Sequence, residues 1–104
     1  MSSRAARVLL AWGLVSSASP ISAYAEDLQA RSWAAGCAAC HGTNGRGGTE
    51  VPALAGRSKA DLLAVLKEFK ADARKTATIM HQHSKGYTDA QLERIADYFS
   101  RQSR

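Results

Sequence analysis

Cys37-Ala38-Ala39-Cys40-His41 constrains this chain more than any other stretch. Two thiols three residues apart, with a histidine directly behind the second, have the spacing of covalent c-type haem attachment. On one turn leading out of a helix, both sulfurs can face the two vinyl groups on one haem edge and become thioethers. The adjacent His41 imidazole then points back at the iron as proximal ligand. The chain has two cysteines, so neither has another partner.

Other uses of Cys-x-x-Cys fit less well. A thioredoxin-like redox pair needs a βαβ context with strands of branched and aromatic residues, and no such strands are evident. A zinc site needs a second ligand pair at finger-like spacing, and only the distant His81 and His83 are on offer. A structural disulfide across so tight a loop would remove little chain entropy.

The first 25 residues read as a cleaved signal peptide. Arg4 and Arg7 form a positive start, and Val8 to Val15 an apolar core. Pro20 is expected to break the helix ahead of an Ala23-Tyr24-Ala25 cleavage site. The apolar run is far shorter than the ~20 residues that span a bilayer. Residues 26–104 are then one exported domain, expected in the periplasm, with no membrane span after cleavage. Export and the haem motif support each other, because bacterial haem attachment by the usual route takes place outside the cytoplasmic membrane. Losing Arg4 and Arg7 lowers the formal charge of +5 by two. That modest basic balance suits docking to an acidic protein surface. No nucleic-acid motif, internal repeat or low-complexity run accompanies it. A domain this small has too little apolar core of its own, and a buried haem would staple it.

Helical spacing organises the rest. Asp27 can cap a first helix ending near Gly36, with Ala30, Trp33, Ala34 and Cys37 on one face. Five glycines between Gly42 and Arg57 predict irregular backbone. The Gly-Lys-Ser/Thr ending of a phosphate loop is missing from it. Ser58 opens a second helix with Asp61 in its first turn and Arg74 and Lys75 at the far end. Leu62, Val65, Leu66, Phe69 and Ala73 form its apolar stripe. Thr76 to Tyr87 reads as a loop carrying Met80, the one methionine left after cleavage, with His81 and His83 as competing ligands. Thr88 to Gln91 is a capping box that opens the last helix, whose apolar face is Leu92, Ile95, Ala96 and Phe99.

From the haem motif to the last helix, the chain resembles the class I cytochromes c. That resemblance implies an all-α cytochrome c fold, three to four short helices around one covalently attached haem c and its iron, with the first and last helices crossing. Trp33 on one side and Ile95 and Tyr98 on the other match the crossing. The resemblance also makes Met80 the second axial ligand. Pro52, in Val51-Pro52-Ala53-Leu54-Ala55-Gly56, becomes the residue whose carbonyl accepts a hydrogen bond from the His41 imidazole. Thr78-Ile79-Met80, Lys85-Gly86-Tyr87-Thr88-Asp89 and Ile95-Ala96-Asp97-Tyr98-Phe99 are similar to the cytochrome subunits of flavocytochrome c sulfide dehydrogenases. This implies a flavoprotein (FAD) partner subunit that oxidises sulfide.

The expectation is therefore a one-haem carrier of single electrons and not a catalyst in its own right. With His41 and Met80 both on the iron, no axial position is left for a substrate. Arg46, Lys59, Lys67, Lys70 and Lys85 are candidates for a basic ring around the docking edge. The alternatives are a free carrier between other periplasmic redox enzymes, a ligand-binding haem protein with an open distal site, and a copper module built on Met80, His81 and His83.

Overall fold

The computed structural model describes residues 11, 13 and 20–104, so most of the expected leader core lies outside the described residues. Those residues are all-helical, with no strand among them. Four helices follow in order: α1 (Pro20–His41), α2 (Lys59–Lys70), α3 (Met80–Lys85) and α4 (Asp89–Ser100), with one 3₁₀ turn at Thr43–Gly45. No helix among the described residues is long and apolar enough to cross a membrane.

Helix α1 differs from expectation at both ends. Pro20 is its first residue and not a break ahead of Ala23, since a fixed φ suits a first helical turn. Asp27 is consequently inside the helix and not its cap. The helix also runs past Gly36, through Cys37-Ala38-Ala39-Cys40, because alanine favours continuation. It stops where Gly42 turns left-handed at φ 82, with Gly42 N–H donating to the Ala38 carbonyl at 3.0 Å.

Helix α2 opens as its sequence suggests, with Asp61 N–H donating to the Ser58 hydroxyl at 3.2 Å. It ends at Lys70, ahead of Arg74 and Lys75. Asp72 there adopts φ 56, Asp72 N–H donates to the Phe69 carbonyl, and Ala73 N–H donates to the Glu68 carbonyl. That paired closure is a Schellman motif with aspartate in the left-handed position usually held by glycine. The Thr88 capping box closes both ways: Gln91 N–H donates to the Thr88 hydroxyl at 3.1 Å, and Thr88 N–H donates to the Gln91 side chain at 2.9 Å.

Helix α4 packs on α1 and α2, and α2 packs on α3. Small residues permit the α1–α4 approach: Ala34 and Ala96 are fully buried, and with Leu62, Ile95 and Phe99 they make the core. Trp33, Cys37, Leu66, Tyr87 and Tyr98 pack around it. Arg94 stacks over the Trp33 ring at 4.7 Å and donates to Gln29 at 2.7 Å. The end of α4 also pins the glycine-rich segment. The Tyr98 hydroxyl donates to Asn44 at 2.9 Å, and Gly56 N–H donates to the Phe99 carbonyl at 3.0 Å. Gly45, at φ 74, lies so close to Phe99 that a Cβ would come within 2.6 Å of its ring.

Candidate haem site

The last turn of α1 carries Cys37, Cys40 and His41 together, and the chain then doubles back beneath them. Gly47 N–H donates to the His41 carbonyl at 2.6 Å, and Leu54 and Ala55 N–H both donate to the Gly45 carbonyl. This return brings Pro52 beside the His41 ring, with His41 Nδ1 2.7 Å from the Pro52 carbonyl oxygen. A carbonyl can only accept, so Nδ1 carries the proton and the Nε2 lone pair is left for a metal. The ring is held among packed atoms, with the residue only 7% exposed.

Met80 reaches the same region from a separate element, α3. It is the first residue of α3 and so stands on a short helix where a loop was expected. It lines a small, half-open cavity of about 10 Å³ together with Cys37, Leu66, His83, Ser84, Tyr87, Leu92 and Ile95. Cys37 and Met80, far apart in sequence, therefore share one largely apolar cavity. His83 faces it as well. His81 does not; its charge acts instead on the Asp72 carboxylate.

Cys37 and Cys40 are free thiols. Cys37 is half-buried and Cys40 exposed. Burial pushes the Cys37 thiol above its ordinary value, and the neighbouring Cys40 sulfur adds a smaller push in the same direction. The proton thus stays on Cys37, which favours an intact thiol over a reactive thiolate.

These residues fit a covalently held haem. Two thiols and an imidazole with a free Nε2 occupy one helical turn, a thioether lines the cavity with Cys37, and Leu66, Leu92 and Ile95 supply apolar walls. The expected basic ring fits less well. Lys59 pairs with Glu93, Lys70 with Asp89 and Lys85 with Asp72, while Arg46 donates to Ser103. Three of the five expected charges thus meet a carboxylate within the chain. Two residues had no assigned role from sequence: Tyr87, which lines the cavity and donates to the Trp33 carbonyl at 3.5 Å, and Ser84, which is fully buried. For Ser84, the spacing of four residues from Met80 along α3 was the available signal; Tyr87 lies beyond the end of that helix.

An all-helical fold that presents Cys-x-x-Cys-His at a helix end, with a methionine lining the same cavity as the first cysteine, defines a haem-binding protein. Residues 29–102 match the cytochrome c family, and the chain belongs to it. It is accordingly an electron-transfer protein whose cofactor is haem c, held covalently and containing iron. Among similar proteins is the cytochrome subunit of sulfide dehydrogenase of Chlorobaculum tepidum, 40% identical over 68 residues. That match covers 65% of this chain and 61% of the relative, so the chain spans well under the relative's full length. Cytochrome c-554(548) of Halomonas halodenitrificans is 36% identical over 69 residues, which are 64% of this chain and 83% of that protein.

Proposed function

We propose that this protein is a periplasmic one-haem carrier of single electrons. Cys37 and Cys40 hold the haem, and His41 and Met80 are its axial ligands. The observation that supports this reading is the cavity shared by Cys37 and Met80, which brings Met80 near the helix turn that also bears His41. When bound, haem supplies a one-electron iron couple. The protein's own residues do the rest. The Pro52 carbonyl orients the His41 ring and fixes its tautomer. Leu66, Leu92 and Ile95 exclude water, and a methionine ligand sets a higher potential than a second histidine would.

The donor in this proposal is a flavoprotein subunit that oxidises sulfide, by analogy with the name of the Chlorobaculum relative. A free carrier is the second reading. It is favoured by the Halomonas relative, named simply as a cytochrome and matched over more of its length. Visible and near-infrared spectra of the haem-loaded protein, oxidised and reduced, test the ligation. A weak sulfur-to-iron charge-transfer band in the oxidised form is expected; its loss would move the distal ligand to His83, His81 or nothing. Sulfide-dependent reduction of the haem by a co-purifying flavoprotein tests the donor. Reduction only by unrelated periplasmic donors would favour the free carrier.

A further inference from the structure

Ser84 is one of the most deeply buried residues, at 1% exposure, and its hydroxyl has no hydrogen-bond partner. It is the one buried side-chain polar atom among the described residues in that condition. A buried hydroxyl is ordinarily satisfied, because leaving it bare forfeits its hydration with nothing in return. A helical serine can also bond back to the carbonyl one turn earlier, which would here be Met80. It does not do so. The hydroxyl instead belongs to a residue lining the Met80 cavity.

Few acceptors are on offer around that cavity. The Tyr87 hydroxyl is turned toward the Trp33 carbonyl, and His83 is an exposed residue able to reach water. Leu66, Leu92 and Ile95 have no polar side-chain atom. Two sulfurs remain, those of Cys37 and Met80. Met80 lies four residues before Ser84 on the same helix, the spacing that stacks two side chains on one face. A thioether sulfur is a weak acceptor but a real one.

We infer that Ser84 is a positioning residue for Met80: in the haem-loaded protein its hydroxyl donates a hydrogen bond to the Met80 thioether sulfur. This rests on the proposed axial role of Met80. Such a bond withdraws electron density from the sulfur, which makes it a poorer donor to ferric than to ferrous iron. The reduced state is thereby favoured and the potential raised. The same bond limits the rotamers of an unbranched side chain that otherwise has three rotatable bonds.

The test compares the haem-loaded wild type with Ser84→Ala and Ser84→Thr, by redox titration and near-infrared absorption. With Ser84→Ala the midpoint potential should fall, changing the ferric-to-ferrous ratio at a fixed applied potential about two- to fivefold, the worth of one modest hydrogen bond. The charge-transfer band should shift with it. Ser84→Thr, which keeps the hydroxyl, should restore both. If the band is present in the wild type but neither potential nor band moves in Ser84→Ala, Ser84 is packing only and this inference is wrong while Met80 ligation stands. A wild-type oxidised spectrum lacking the band would overturn the ligation and this inference with it.

Discussion

The two sides of the cavity are built by different physics. The Cys37–His41 side is tied by backbone: the end of a long helix, a left-handed Gly42, and a return strand of chain bonded to the His41 and Gly45 carbonyls. The Met80 side is a six-residue helix without a side-chain cap, entered through Ile79, which is 56% exposed. A helix that short is not stable by itself and takes its order from its neighbours. Here those are α2, on which it packs through the buried Ser84, and Asp72, which pairs with Lys85. The difference teaches that the histidine side is rigid by construction, whereas the methionine side is held by a few contacts that can be removed one at a time.

The largest expected effect separates the two sides outright. Replacing both Cys37 and Cys40 by alanine should abolish covalent haem, read as complete loss of haem stain on a denaturing gel. Helical circular dichroism should drop as well, since the domain loses its staple. Met80→Ala, by contrast, should leave haem attached but open to carbon monoxide in the ferrous state, with a lower potential. A Met80→Ala protein that matures without haem would erase the distinction between the sides.

Packing beneath the rigid side comes next. Phe99→Ala removes a fully buried ring from the core and should cost about 3–5 kcal/mol in chemical denaturation. Gly45→Ala should cost roughly 1–3 kcal/mol, because its left-handed backbone is strained by a Cβ and that Cβ meets Phe99. In the double variant the two costs should sum to less than their separate values, as the missing ring makes room for the Cβ. Full additivity would mean that backbone strain alone explains Gly45.

The smallest effect tests the methionine side. The Lys85 ammonium hydrogen-bonded to Asp72 holds that carboxyl below its ordinary range, and Lys70 does the same for Asp89. A lowered folded-state value means that the stabilisation is full above the ordinary carboxylate range and is lost as pH falls through the lowered value. Acid should therefore loosen α3 modestly. Asp72→Asn should abolish its share of that acid dependence at low salt, and high salt should hide the difference because both partners are exposed. A pH-independent charge-transfer band across this range would show that α3 does not depend on the pair.

Much of the fold was legible because local physics repeats along the chain. The Ser58 cap, the Thr88 capping box and the apolar face of α4 follow from residue type and spacing, and each stands where spacing puts it. Element ends were less legible. Asp72 in a left-handed closure has no sequence signature as strong as glycine, so the stretch up to Lys75 read as helix. The leader side of α1 was misjudged for a similar reason, since Pro20 can begin a helix as readily as end one.

By itself the sequence determined the chemistry on one side: two thiols and a histidine within five residues need no tertiary information to be recognised as a haem turn. Only the tertiary structure decided what faces them. Bringing Met80, His83 and Ser84 to the Cys37 cavity while leaving His81 outside depends on how α3 is rotated against α2 and α4. That rotation is set by long-range packing and by which side chains lose their water, and neither is encoded in the spacing of neighbouring residues.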